Sequence, residues 1–340
     1  MTPFHVAIDA HDLIRDERGI GRYVRAVVTR WMRRDDVTVS LIVRDPFPWR
    51  FSAAFAKALG APEASVYARV PRDAEVTWHP WNGTFTATEG PAAATIHDVV
   101  PFAFPELDER KRESQQTPFR RTATRASAIA CDSAFTAGEI VRYLEVPTNR
   151  LHVVPLAADE KFSLGSDDAL PAQLTGRPYV LYVGTHDDYK NTGTLAAAHR
   201  LAFPDDEVAL VFTRPNPVVP EAIVFEHAPD DQLIALYRAA TIVAAPSLYE
   251  GFGLPVLEGM ACGAPVLAAR AGSLPEVGGD AARYVDEPDS VHAWRTALLA
   301  LAGDAELRAE LALRGPVHAA RFSWDRCADE TLEVVKSARA

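Results

Sequence analysis

Short apolar runs alternate with longer amphipathic segments along most of the chain. In the first half the apolar runs at 4–8, 37–43, 75–78, 93–97, 128–131 and 151–154 have the length and near-continuous hydrophobicity of strands buried on both faces. Between them, helical periodicity predicts helices at about 21–33, 106–127 and 135–144, the last with Ser133 in the capping position. A polar stretch rich in Asp, Ser, Gly and Pro occupies 159–177, and then the pattern restarts. Strands are predicted at 179–183, 208–212, 222–225, 242–245, 265–268 and 283–285, and helices at 191–202, 230–239, 255–261, 290–302 and 305–320. A capped helix over 323–336 closes the chain.

This alternation predicts the α/β class, with mostly parallel sheets covered by helices. The two series imply two Rossmann-like, doubly wound domains facing across a cleft. They are expected at 1–158 and 178–322, with 159–177 as linker and 323–340 as a terminal helix packing back on the N-terminal domain. Ligands of such sheets bind at the carboxyl ends of the strands, so chemistry is expected there.

Composition narrows the class. A chain of 340 residues, 48% apolar and 24% charged, can bury two cores, which excludes disorder as the default state. Its longest run without a charged side chain, 76–88, is 13 residues long and broken by Pro80 and Asn82-Gly83, too short to span a bilayer. The first residues lack the basic lead and apolar block of an export signal, so a cytoplasmic location is expected. Cys131, Cys262 and Cys327 are far apart and lack CxxC spacing, which argues against a disulfide framework or a zinc site. The formal charge of −11 disfavours a nucleic-acid partner, but it is uneven. Residues 1–160 hold 20 Lys and Arg against 21 Asp and Glu; residues 161–340 hold 15 against 25.

The most informative stretch is Pro246-Ser247-Leu248-Tyr249-Glu250-Gly251-Phe252-Gly253-Leu254-Pro255-Val256-Leu257-Glu258. It leaves a predicted strand, turns through two glycines and starts a helix with Pro255 where a missing N–H costs nothing. Backbone N–H groups of Gly253 and Leu254 then point at the strand-end site, where helix dipole and unsatisfied donors both favour an anion. Glu250 in the turn and Glu258 on the helix are spaced to face one bound molecule. A plain turn, with Glu258 only offsetting the helix dipole, is the alternative for such a string.

With Leu236-Tyr237-Arg238-Ala239-Ala240 before it and Ser273-Leu274-Pro275-Glu276-Val277-Gly278-Gly279 after it, this stretch resembles the donor-binding half of the retaining glycosyltransferases of family four. The resemblance implies the GT-B fold and a nucleoside-diphosphate-sugar donor. It implies that Glu250 reaches hydroxyls of the transferred sugar and that Glu258 holds the ribose. Backbone amides of Gly251, Phe252, Gly253 and Leu254 would meet sugar and phosphate. Weaker matches extend it. Arg18-Gly19-Ile20-Gly21-Arg22-Tyr23 resembles the family's N-terminal glycine loop, which makes Gly19 and Gly21 donor-binding candidates. Thr95-Ile96-His97-Asp98 resembles the position of its active-site histidine, so His97 joins Glu250 and Lys190 as catalytic candidates. Tyr189-Lys190-Asn191 resembles its Arg-Lys-Asn, with Tyr189 replacing the arginine that shares the diphosphate charge. Arg270, Arg22 and Arg214 are candidates for the second cation. His227 stands where the family often has glycine.

The resemblance implies transfer of a sugar to an acceptor hydroxyl with retention of configuration, in glycan, glycolipid or glycosylated-metabolite biosynthesis. No cofactor is implied, and no metal: acidic pairs such as Asp35-Asp36 and Asp187-Asp188 fall in loops or helix starts without ligand spacing. A catalytically silent nucleotide-sugar-binding subunit, or an epimerase or phosphorylase of similar architecture, are the alternatives. The acceptor, a saccharide, lipid-linked saccharide or small molecule, falls to the N-terminal half, where Trp78, Trp81 and Asn82 either stack on sugar or fill the core. Arg110-Lys111-Arg112 and Arg120-Arg121-Arg125 read as a solvated helix, given Asp108, Glu109 and Glu113 among them, or as a peripheral contact with the inner face of a membrane.

Overall fold

A computed structural model describes residues 2–16, 19–85, 88–216, 219, 222–226 and 228–339. They divide into two units, Met1–Leu156 with Ser323–Ala340, and Ala157–Phe322.

In the first unit the strands are β1 (Phe4–Asp9), β2 (Val37–Ile42), β3 (Val66–Tyr67), β4 (Val76–His79), β5 (Ala92–Ile96), β6 (Ala128–Cys131) and β7 (Leu151–Val153). They pair in parallel in the order β3-β2-β1-β4-β5-β6-β7. Strand order therefore runs outward in both directions from β1 and β4, and the switch point lies between them. Strands β4, β5 and β6 are buried along their whole length, which is why they read as unbroken apolar runs, while edge strands β3 and β7 are short and partly exposed.

Helices α1 (Gly19–Trp31), α2 (Ser52–Leu59), α3 (Val100–Ala103), α4 (Glu109–Arg125) and α5 (Ala134–Leu144) complete this part. In α1 the buried residues Tyr23, Val24, Val27, Val28 and Trp31 form one helical stripe, each large side chain contributing about 1.5–3 kcal/mol by burial. Ser133 caps α5 through Thr136 N, as the sequence predicts. Helix α4 is shorter than its predicted span because Asp108 caps it, accepting from Lys111 N. Three elements of this unit, β3, α2 and the single-turn α3, have no counterpart in the sequence prediction. Strand β3 is two residues long, too short for any periodicity, and α2 ends at Gly60, whose φ of 58° supplies a left-handed cap.

The second unit holds β8 (Tyr179–Tyr182), β9 (Ala209–Phe212), β10 (Ile223–Val224), β11 (Ile242–Ala245), β12 (Val266–Ala269) and β13 (Arg283–Val285), parallel in the order β10-β9-β8-β11-β12-β13. Its switch point lies between β8 and β11. The helices are α6 (Thr192–Ala202), α7 (Asp230–Ala239), α8 (Leu254–Ala261), α9 (Leu274–Gly278), α10 (Val291–Gly303) and α11 (Ala305–Ala319). The polar stretch read as a linker is anchored on this unit. Phe162 is buried with its ring 5.8 Å from that of Tyr237, and Arg238 donates to the carbonyls of Ser163 and Ser166. Part of this stretch is therefore held by a buried ring and by an arginine on two backbone carbonyls.

The last helix, α12 (Trp324–Ser337), counts with the first unit. Trp31 Nε1 donates to Ala328 O at 2.9 Å, and Ser127 Oγ donates to Ala338 O at 3.1 Å. All three cysteines are buried and none is in a disulfide.

Candidate active site

The glycine-rich turn leaves buried β11 at the switch point of the second sheet and enters α8. Gly253 takes φ 101°, a left-handed conformation that L side chains rarely adopt, and Pro255 sits in the first turn of the helix. The turn is tied from behind. Ser273 Oγ donates to the carbonyls of Glu250 (2.9 Å) and Phe252 (2.8 Å), and Ser273 N donates to Glu250 O. Gly272 makes this approach possible, since a Cβ there would lie 2.7 Å from Glu250 N.

A second loop meets the turn from the neighbouring strand. After β8, a single 3₁₀ turn (Asp188–Lys190) places Lys190, and Asn191 follows with φ 55°. Asn191 Nδ2 donates to the carbonyls of Pro246 and Pro288, and Leu248 N donates to Tyr189 O at 2.8 Å. These bonds bring Lys190 Nζ to 2.7 Å from Glu250 Oε1, which also accepts from Ser247 Oγ at 2.8 Å. Both side chains remain in contact with solvent, 17% and 19% exposed. The Lys190 ammonium also lies 5.1 Å from the centre of the Tyr189 ring.

Glu258 differs from Glu250. It is 1% exposed on α8, and its Oε2 accepts from the Tyr237 hydroxyl at 2.9 Å. The spacing argument placed both carboxylates against one molecule; of the two, only Glu250 is open to solvent. Phe252 is buried with its ring 5.9 Å from that of Phe322, so its contribution to a ligand is limited to its backbone.

Comparison with known proteins decides the family. The model for glycosyl transferases group 1 matches residues 220–316. The chain is 32% identical over 267 residues to the O-antigen chain mannosyltransferase B of Escherichia coli, covering 72% of this chain and 70% of that protein. The chain belongs to the group 1 glycosyl transferases. It is a glycosyltransferase with GT-B architecture that moves a sugar from a nucleoside-diphosphate sugar to an acceptor hydroxyl. It is also 30% identical over 272 residues to a D-inositol 3-phosphate glycosyltransferase of Nocardia farcinica, spanning 72% of this chain but 60% of that relative. Among solved structures, Anabaena HepE in complex with UDP and glucose superposes with a TM-score of 0.73 at 14% identity, over 98% of this chain and 100% of that one.

In the first unit of this glycosyltransferase, α1 starts at Gly19, two residues before its predicted start at 21, so Gly19 as well as Gly21 is helical. A Cβ on Gly21 would sit 1.7 Å from the Asp16 carbonyl oxygen, so the glycine lets the incoming chain pack against the helix. Arg25 Nη1 holds that chain by donating to the carbonyls of Leu13 and Asp16. Arg18 and His227 lie outside the described residues.

The His97 ring does not face solvent. It is buried, with Nδ1 2.8 Å from Asp132 Oδ2 and Nε2 3.0 Å from the Pro80 carbonyl oxygen. Both nitrogens therefore face acceptors, which favours the imidazolium. Burial opposes that charge, but the Asp132 carboxylate and the Pro80 carbonyl outweigh it and raise the His97 pKa. Both ring nitrogens of His97 are thus engaged at the strand ends. Trp78 and Trp81 fill the core: their indole N–H groups donate to Thr95 Oγ1 and to the Asp9 carbonyl, respectively. Arg270 pairs with Asp286 and lies over the Tyr284 ring.

Sequence reasoning missed Ser247, Ser273, Asn191 and Tyr237, the residues that hold the two glutamates and Lys190 in place. All four stand within the motifs singled out in the sequence, but nothing in their spacing shows which carbonyl or carboxylate they reach.

Proposed function

We propose that the donor diphosphate binds between Lys190 and the N-terminus of α8, and that transfer proceeds with retention and without a resident metal ion. The observation that carries this reading is the Lys190–Glu250 pair at the switch point of the second sheet. A diphosphate entering there takes the ammonium and leaves Glu250 free to accept hydrogen bonds from the hydroxyls of the sugar. In the reaction the bond between anomeric carbon and phosphate oxygen breaks, and its electron pair passes to the leaving phosphate. Lys190 and the amides of Gly253 and Leu254 stabilise that charge, an effect of about 3–4 kcal/mol per well-placed donor. The acceptor oxygen then bonds to the same face of the sugar, and its proton passes to the departing phosphate. Glu258, held by Tyr237, would meet the ribose after a local opening.

The acceptor is assigned to the first unit, and the relatives' names support a hydroxylated acceptor of the saccharide or cyclitol-phosphate kind. No helix among the described residues is long and apolar enough to cross a membrane. A peripheral, cytoplasmic-face contact is supported by Leu107, 98% exposed, next to Arg110 and Lys111 at the start of α4.

The test is incubation of the full chain with GDP-mannose, UDP-hexoses and dTDP-deoxysugars against a panel of acceptors. Nucleoside diphosphate release coupled to an α-to-α product by NMR supports the reading; an inverted product, or activity abolished by EDTA and restored by Mg²⁺, contradicts it.

A further inference from the structure

The switch point of the first sheet carries a polar cluster that the donor reading does not use. Asp9 ends β1 and His79 ends the adjacent strand β4. Asp9 Oδ1 accepts from His11 Nδ1 at 2.9 Å and from His11 N at 3.3 Å, while its Oδ2 lies 3.6 Å from His79 Nδ1. Those last two atoms are buried without a hydrogen bond, which is unusual for polar atoms in a protein interior. Burial pushes the Asp9 carboxyl up, but the hydrogen bond from His11 and the charges of His11 and His79 prevail and hold it well below the usual carboxylate range. An ionised Asp9 fixes the His11 proton on Nδ1 and turns Nε2 outward. There Nε2 lies 3.2 Å from Asp12 Oδ2, and the ring is flanked by Trp81 (5.5 Å between centres) and Phe85 (5.0 Å). His11 and Asp12 are both open to solvent, 19% and 46% exposed.

We propose that His11 and Asp12 bind vicinal hydroxyls of the acceptor, a saccharide or cyclitol, and that Asp9 is the positioning residue that aims His11 at them. Nε2 and the Asp12 carboxylate both accept, so one hydroxyl donates to Nε2 and its neighbour to Asp12. Phe85 offers an apolar flank of the kind that a sugar ring covers. Switch points are where open α/β sheets take ligands, and the donor reading already occupies the one in the other unit. The inference rests on the assignment of the acceptor to the first unit.

Saturation-transfer NMR with methyl α-D-mannopyranoside, methyl α-D-glucopyranoside and myo-inositol tests it on the full chain, with UDP and GDP binding measured on the same samples. Transfer to at least one probe is expected for the unaltered protein. His11→Gln, which removes only a partly exposed ring, should weaken it about tenfold or more. Asp9→Asn, which keeps the shape but not the charge, should weaken it by a factor of about 3 or more. Nucleotide affinity should stay unchanged in both. A merely structural role for Asp9 would lower melting temperature and both kinds of binding together. Probe binding indifferent to both substitutions, or absent for all three probes, overturns the inference. Failure of the unaltered protein to bind either nucleotide overturns the donor reading instead.

Discussion

Lys190 Nζ stands 2.7 Å from Glu250 Oε1, so the cation assigned to the donor diphosphate is paired with the carboxylate assigned to its sugar. The two charges compete before they cooperate. Glu250→Gln should therefore act with opposite signs on two measurements. Free nucleoside diphosphate should bind about 3–10-fold more tightly, because Lys190 no longer has a rival anion. Transfer should fall by about 10²–10³-fold, because the sugar hydroxyls lose a charged acceptor. Titration calorimetry and product formation check the two parts separately.

Gly272 is where the turn is most sensitive to a small change. It takes φ 58°, and a methyl group would meet Glu250 N at 2.7 Å. Gly272→Ala should cost about 1–3 kcal/mol of stability and displace Glu250, seen as a lowered melting temperature and a loss of transfer larger than the loss of folded protein explains. Gly60→Ala is the control: it shares the left-handed conformation but meets nothing within 4 Å, so activity should survive.

Stability should depend on pH through His97. Its pKa is raised above the ordinary 6.5 by Asp132 and Pro80 against the opposing effect of burial. A raised value means that the folded state binds the proton more tightly than the unfolded one. The stabilisation is complete below the unfolded value and is lost as pH rises through the folded one. Urea unfolding of the unaltered protein should show stability falling as pH rises above the ordinary histidine value of 6.5, with that slope flattened in His97→Gln. Asp132→Asn should flatten the slope as well, because it removes the carboxylate that raises the His97 pKa.

Membrane contact is tested at the start of α4. Leu107→Glu together with Arg110→Ser and Lys111→Ser should lower co-sedimentation with phosphatidylserine vesicles, each basic residue contributing about 1 kcal/mol. Transfer to a water-soluble acceptor should be unchanged, because none of the three touches the strand ends.

Much of the fold was legible because parallel strands buried on both faces are unbroken apolar runs, and β6 and β11 appear in the sequence at their observed limits. Strand β3 was not, since pairing of Tyr67 with Ile42 is a long-range contact with no local signature. In the site, the turn at Gly251-Phe252-Gly253 was legible because glycine and proline restrict backbone geometry directly. What eluded the sequence was depth. Nothing in a string distinguishes Glu250, open to Lys190, from Glu258, beneath Tyr237, or shows that His97 has both ring nitrogens engaged. Those facts come from residues 17 to 60 positions away in the chain. The His11–Asp9 cluster escaped for the same reason, because His79 and Trp81 reach it from another strand.

The central claim is that Lys190 holds the donor through its diphosphate. The most direct measurement is the affinity of the full chain and of Lys190→Ala for a nucleoside diphosphate and for the matching monophosphate. The substitution should weaken the diphosphate by about tenfold or more and leave the monophosphate within about twofold, with the melting temperature unchanged because a partly exposed pair contributes about 0–1 kcal/mol. Equal losses for both nucleotides, or no loss for either, would contradict the account.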